Sequence, residues 1–353
     1  MHMADALLSP AVAATMYVAS GTAAGISIYQ LKKDNDPKKL PTMAVTSALV
    51  FAGQMINYTI PGTGSSGHMC GGMLLSALLG PYAGFLSMIV ILTVQCLFFA
   101  DGGLMALGAN VWNMAFYGCF VGYFLIWRSI MKSSLFAGND IRKTMRARII
   151  LASILGCVIT LQLGAFSVVV ETSLSGITEL PFGAFCALMQ PIHLAIGLVE
   201  GLITAAVLTF VYESRPDLIR DVQIGDADKG TSGSLVKVIL PLAILAVLTG
   251  GIFSHMASSN PDGLEWALFG NAEKGYSANM GLDEEHFGVE SKAADTAASI
   301  QEKTSFLPDY SFAGSDSGAG TTVSGLAGSF IVAGAVLLIC LLGRFFRAKR
   351  SDE

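Results

Sequence analysis

The feature that most constrains this chain is a series of long apolar runs divided by short polar breaks. A run of about 18 or more apolar residues is long enough to cross the roughly 30 Å hydrocarbon core of a bilayer as a helix. Apolar segments cover residues 11–30, 42–60, 69–80, 83–100, 104–127, 147–172, 184–212, 235–254 and 325–343. Backbone polar groups in hydrocarbon must be satisfied within the protein, so such a chain folds as packed helices. The expected fold class is an all-α integral membrane protein: a seven-helix bundle, then two further transmembrane helices flanking an acidic extracytoplasmic loop. Composition agrees, since charged residues make up 13%, against about 25% in soluble domains. An ordinary soluble enzyme and a disordered chain are excluded, and a net charge of −5 gives no footing for a nucleic-acid partner.

The start, Met1-His2-Met3-Ala4-Asp5, has no positive n-region and does not read as a cleaved secretory signal. The six cysteines (Cys70, Cys96, Cys119, Cys157, Cys186, Cys340) are scattered through apolar segments without a CxxC pair. They offer neither a disulfide framework nor a thiolate zinc site.

Segment 69–80 is short for a span, because twelve helical residues rise only about 18 Å. Charge decides its fate. With Lys32, Lys33, Lys38 and Lys39 cytoplasmic, a crossing at 69–80 brings all but three of the 21 basic residues to the same side. The exceptions, Lys274, Lys292 and Lys303, lie in the long 255–324 stretch. The expectation is nine spans, with the N-terminus outside and the C-terminus cytoplasmic. The expected organisation is a membrane domain over 1–215, a cytoplasmic linker over 216–233, a second domain over 234–345 with helices at about 235–254 and 325–343, and a cytoplasmic tail over 346–353. The N-terminus, the Gly62–Cys70 loop and the 255–324 stretch then share the outer face.

Three constellations carry chemistry. A histidine at position 2 can chelate with its chain neighbours: the Met1 amine, the His2 amide nitrogen and His2 Nδ1 close a five- and a six-membered ring around one ion. These three planar nitrogens leave a fourth position open, a set that suits Ni²⁺, Cu²⁺ and Co²⁺. The second is Gly62-Thr63-Gly64-Ser65-Ser66-Gly67-His68. It imitates half of a phosphate loop, but His68 stands where the lysine is needed, so nucleotide binding is not expected of this chain. Its glycines instead let the backbone fold tightly and bring His68 to the open fourth position. The third is Pro261-Asp262-Gly263-Leu264-Glu265-Trp266, whose Pro and Asp-Gly mark a turn. His193 and Glu200, seven apart, share a helix face, and Gln54, Asn57, Gln95, Asn110, Asn113 and Gln162 can hydrogen-bond between helices.

Together these motifs resemble a family. Met1–Pro10 is similar to the N-terminus of the CbiM/NikM proteins, M-H-x-x-[DE]-[GA]-x-[LI]-[SP]-P. Gly62–His68 with Gly71 and Gly72 resembles their glycine-rich histidine loop. Phe99-Ala100-Asp101-Gly102-Gly103-Leu104, with Gly108-Ala109-Asn110 and Asn113-Met114, is similar to their F-x-D-G-G-L…G-A-N…N-M stretch. Pro261–Glu265 resembles the PDGLE signature of the small CbiN/NikN companion. This chain departs in having Ala6 where glycine is commoner, and in Cys70, a soft sulfur near His68.

The resemblance implies the substrate-specific (S) component of an energy-coupling factor ABC importer for Co²⁺ or Ni²⁺, fused to its companion. It implies a metal site of Met1, His2 and His68. Gly62, Gly64, Ser65, Ser66, Gly67, Cys70, Asp101, Asn110 and Asn113 would support that site, and Pro261, Asp262, Gly263, Leu264 and Glu265 would form a loading motif. Its partners would be a membrane T component, cytoplasmic ATPase subunits and lipid of a prokaryotic cell membrane. Two alternatives compete: a metal receptor or sensor without transport, and an intramembrane hydrolase built on His193 and Glu200. Finally, the 255–324 stretch holds Asp262, Glu265, Glu273, Asp283, Glu284, Glu285, Glu290, Asp295, Glu302, Asp309 and Asp316 against three lysines, so an acidic loop opposes a basic cytoplasmic face.

Overall fold

The computed structural model describes all residues except 33–38, 135–139, 178, 224–233, 276–281, 283–286, 313–318, 352 and 353. Lys33, Lys38, Lys229, Asp283, Glu284, Glu285 and Asp316 therefore lie outside the described residues, as do the side chains of Lys39, Arg344, Arg347, Lys349 and Arg350.

The first part comprises α1 (Pro10–Leu31), α2 (Lys39–Gln54), a hairpin of β1 (Tyr58–Ile60) and β2 (Ser65–Gly67), α3 (Gly72–Leu79), α4 (Pro81–Phe99), α5 (Leu107–Lys132), α6 (Ile141–Leu174) and α7 (Phe182–Ser214). Local sequence sets the ends. Ser9 caps α1 by accepting from Val12 N–H, with Pro10 at the first helical position. Asp140 caps α6 by accepting from Arg142 and Lys143 N–H. Within α5, Val111–Trp127 is wound wider than an α-helix, so that Arg128 N–H reaches the Tyr123 carbonyl.

Among the described residues, six helices are long and apolar enough to cross a membrane, and Leu40–Gln54 and Val236–Gly251 are shorter apolar helices. Large apolar side chains such as Val18, Tyr29, Leu125, Leu202 and Phe330 stand exposed on their outer faces. In water that would be a liability; against lipid it is the expected solvation.

The second and third apolar segments take different shapes from those expected. Residues 42–60 are not one helix: α2 stops at Gln54 and the chain turns into the hairpin, Tyr58 opposite Gly67. Segment 69–80 is no spanning helix either, since α3 has eight residues and rises about 12 Å. It still runs through the bundle. Its start lies at Glu200 in mid-α7, while its end meets the opposite end of the molecule, where Arg220 N–H donates to the Ala77 carbonyl at 2.8 Å. Every residue of α3 is buried. Non-helical backbone at membrane depth is tolerable only when enclosed by protein, and Glu200 supplies the missing partners by accepting from Cys70 N–H (2.8 Å) and Gly71 N–H (2.9 Å). Gly72 and Gly118 let α3 and α5 meet backbone to backbone.

In the second part, α8 (Val236–Gly251) and α11 (Ala319–Ser351) pack on each other and on α2. Between them, among the described residues of the acidic stretch, lie the α-helices α9 (Gly263–Phe269) and α10 (Lys292–Thr304). This region is docked rather than free. Ser258 N–H donates to the Asn57 carbonyl (2.7 Å), and Ser66 N–H donates to the Pro261 carbonyl (2.8 Å). At the far end of the bundle, Arg146 pairs with Glu213 (2.8 Å) and Lys132 with Asp221 (3.5 Å).

Candidate metal centre

The N-terminus is tucked into the end of the bundle beneath the second part. Met1 is 5% exposed, the His2 side chain 7% and His68 8%. The terminal segment is held by its backbone. Asn110 pairs with Met3 on both sides, its Oδ1 accepting from Met3 N–H (2.7 Å) and its Nδ2 donating to the Met3 carbonyl (3.1 Å). Gly103 N–H donates to the same carbonyl at 2.9 Å, and Asp5 accepts from Ala106 N–H at 2.9 Å. Asn113 lies one turn on, donating to Glu171 (2.7 Å) and touching the Met3 sulfur (3.6 Å). Gly102 adopts φ +78°, and a Cβ there would press on Asn110 Nδ2 and on His2 Cβ. Only glycine lets the Asp101 turn close over His2.

The two imidazoles expected to meet do meet: the rings of His2 and His68 stack with centroids 5.3 Å apart. His68 Nδ1 sits 3.1 Å from the Met69 carbonyl. A carbonyl only accepts, so that nitrogen carries the proton and Nε2 keeps its lone pair. Burial, with the positive terminal amine nearby, pulls the His2 pKa down to about 3 and that of His68 down to about 4. Both rings are therefore neutral near pH 7, the form in which imidazole ligates metals. His2 Nδ1, the atom needed for the terminal chelate, lies 3.1 Å from Asp101 Oδ1, and Nε2 lies 3.3 Å from Gln95 Oε1.

The fourth element comes from the second part. The Met1 ammonium donates to Asp262 Oδ2 at 2.6 Å. The other oxygen, Oδ1, caps α9 by accepting from Leu264 N–H (2.8 Å) and Glu265 N–H (2.9 Å), and Glu265 reaches back to Asp262 N–H (3.3 Å). This capping box fixes the carboxylate that faces the amine. Burial alone would raise the Asp262 pKa and lower that of the amine; each group's opposite charge outweighs burial, holding the carboxyl well below its ordinary range and raising the amine. Gly263 packs on Ile192, His193 and Ile196, with no room for a side chain.

The glycine-rich loop supplies the scaffold. Gly62 and Gly64 form the hairpin turn, Ser65 bonds Thr63 (2.8 Å), Ser66 Oγ donates to the Asn260 carbonyl (2.7 Å), and Gly67 abuts Ile196. The segment is thus a hairpin gripping the second part, rather than a phosphate cradle. Cys70 lines a small cavity together with Met1, His68, His193 and Asp262. His193 and Glu200 serve separate partners. Glu200 holds the start of α3, whereas His193 Nδ1 donates to the Met189 carbonyl (2.8 Å) and its Nε2 has no hydrogen-bond partner among the described residues. Among the described residues, no three His, Cys, Asp or Glu side chains converge to hold an ion; the nitrogen donors here are two imidazoles and the main-chain terminus.

Three contributors went unnoticed in the sequence as parts of this site: Gln95, read only as an interhelical hydrogen-bonder, and Gln301 and Tyr310. Gln301 on α10 donates to the Gly102 carbonyl (2.9 Å) and the Cys96 carbonyl (3.0 Å) and accepts from Leu104 N–H (3.2 Å). The Tyr310 hydroxyl donates to Asp101 Oδ2.

Fold and site define a class: a multi-pass, all-helical membrane transport protein with a buried, nitrogen-rich pocket at one end. The chain belongs to the CbiM family, described as "Cobalt uptake substrate-specific transmembrane region", which matches residues 2–218; residues 236–344 match the PDGLE domain. It is 35% identical over 336 residues to the "Putative fused nickel transport protein NikMN" of Archaeoglobus fulgidus, covering 94% of this chain and 95% of the relative. The "Cobalt transport protein CbiM" of Sorangium cellulosum is 28% identical, covering 66% of this chain and all of the relative. A crystal structure of a truncated transition metal transporter superposes with a TM-score of 0.51 at 31% identity, covering 60% of this chain and 99% of that one. The chain is accordingly a metal transport protein, not an enzyme, which sets aside the hydrolase reading of His193 and Glu200.

Proposed function

We propose that this chain is the substrate-specific component of an energy-coupling factor importer for Ni²⁺ or Co²⁺, taking its metal on the outer face. In this reading the Met1 amine, the His2 amide and imidazole, and His68 hold the ion. The N-terminus lies outside and the C-terminus in the cytoplasm of a prokaryotic cell, and separate T and ATPase subunits drive transport. The chain itself binds no nucleotide. The observation that carries the reading is the meeting of two neutral, stacked imidazoles with a buried terminal amine at one end of the bundle. The basic residues Lys132, Arg146 and Arg220 at the other end support the orientation.

Asp262 holds the amine where the ion must bind and releases it when the metal takes its place, which gives the Pro261–Glu265 turn its loading role. His2 Nδ1 likewise leaves Asp101 to join the chelate. Coordination requires the Met1 ammonium and the His2 amide nitrogen each to give up a proton, so binding releases protons to the solvent.

The test is metal analysis of the full chain, purified with Met1 as its first residue, after exposure to Ni²⁺ and Co²⁺. About one ion per chain is expected, falling to background in His2→Ala, in His68→Ala and in a variant with one residue inserted after Met1. Stoichiometric binding retained in all three variants contradicts the proposal.

A further inference from the structure

The second part reaches the site at two places, and only one of them lies in its Pro261–Glu265 motif. The other is the turn after α10. There the Tyr310 hydroxyl donates to Asp101 Oδ2, while Asp101 Oδ1 lies 3.1 Å from His2 Nδ1. Each carboxylate oxygen thus has its own partner, and the carboxylate cannot rotate without breaking one of them. The turn is built for this contact. Asp309 and Tyr310 are successive non-glycine residues at φ 50° and 60°, a left-handed conformation that side chains disfavour and that persists where surrounding contacts impose it. Those contacts are the Tyr310 ring stacked on Phe99 (centroids 5.0 Å apart) and Phe306 against Phe98 and Phe99. Earlier in the chain, on α10, Gln301 pins the same Asp101–Leu104 loop through two hydrogen bonds, to the Gly102 carbonyl and from Leu104 N–H, and ties it to α4 by a third to the Cys96 carbonyl.

We infer that Tyr310, seconded by Gln301, is a positioning residue for the metal site: through Asp101 before the ion arrives and through Gln95 while it is bound, it fixes where the His2 imidazole stands, independently of the Asp262 contact to the Met1 amine. A ligating histidine is oriented by the group that bonds its other ring nitrogen, and loss of such a partner costs about 10–100-fold in metal affinity. Asp101 and Gln95 bracket His2 at its two ring nitrogens. In the proposed chelate the ion takes Nδ1, so Gln95 is the partner left at Nε2, and the Tyr310 hydroxyl interacts with Gln95 as well as with Asp101. The inference rests on the proposed site and assigns part of its geometry to residues outside the motif.

The test uses the full chain with its native terminus, titrated with Ni²⁺ and followed by affinity and by the visible absorption band of the bound ion. Tyr310→Phe keeps the ring on Phe99 and removes only the hydroxyl. It should raise the Kd at least about tenfold and shift the band. Gln95→Met, which removes the partner at Nε2, should do the same, and the double variant should be no worse than the poorer single one, because the two act through one contact. An unchanged Kd, an unchanged band, or additive losses in the double variant would overturn the inference. Failure of the unaltered chain to bind Ni²⁺ would overturn the underlying reading of the site instead.

Discussion

The two parts of this chain divide the work unequally. The first, α1 to α7 with the terminal segment, supplies every proposed ligand: Met1, His2 and His68. The second supplies none, yet it touches the ligand set twice, at the Met1 amine through Asp262 and toward His2 through Tyr310 and Asp101. The difference teaches that donors and their arrangement are separable. Neutral imidazoles come from burial in the bundle, and their placement depends on a stretch some 200 residues away or more in sequence. Fusion of the two parts keeps that stretch always at hand.

The sharpest way to break this division is to remove a donor. His2→Ala and His68→Ala should each reduce bound Ni²⁺ and Co²⁺ to background in metal analysis, with the helical circular dichroism unchanged. Removing a holder should do less. Asp262→Asn removes the carboxylate that favours the protonated amine before the ion arrives, so the Met1 amine should lose its proton at lower pH. Metal titrations at several pH values should show binding retained and less dependent on pH than in the unaltered chain. Equal losses for Asp262→Asn and His2→Ala would erase the distinction between donor and holder.

These contributions differ in how far they could be read in advance. Hydropathy revealed the helices because lipid demands long apolar runs, but it misjudged segments 42–60 and 69–80. The run over 42–60 hides the turn from α2 into the hairpin. The run over 69–80 has the hydropathy of a short span because all of α3 is buried, and apolarity alone does not tell a lipid-facing helix from an enclosed one. His2, His68 and the Asp262 turn were legible from position and turn chemistry. That Asp262 answers the Met1 amine was not, since nothing local links residues 1 and 262. Gln301 and Tyr310 were invisible for the same reason: each is a lone polar residue in a polar stretch, given meaning only by a loop some 200 positions away. His193 and Glu200 share a helix face as their spacing implies, yet one faces the site cavity and the other props up α3.

Two smaller effects sharpen the comparison within the first part. Glu200→Gln weakens the charge-assisted bonds to Cys70 and Gly71 N–H. It should destabilise the chain by about 1–2 kcal/mol in a thermal or denaturant assay, with a modest loss of affinity because His68 lies just upstream. Cys70→Ser should matter least. The sulfur lines the cavity beside Met1 and His68 but is no donor in the proposed site, so Ni²⁺ affinity should stay within about twofold and the preference between Ni²⁺ and Co²⁺ should not change.

The central claim, that the ion is held by nitrogens of the terminus and two imidazoles, is tested most directly by X-ray absorption at the nickel edge on the full chain loaded with Ni²⁺. The account predicts a shell of nitrogen donors only, with multiple scattering from two imidazoles and a planar edge signature. A sulfur donor from Cys70, or a shell dominated by carboxylate oxygen from Asp101 and Asp262, would contradict it.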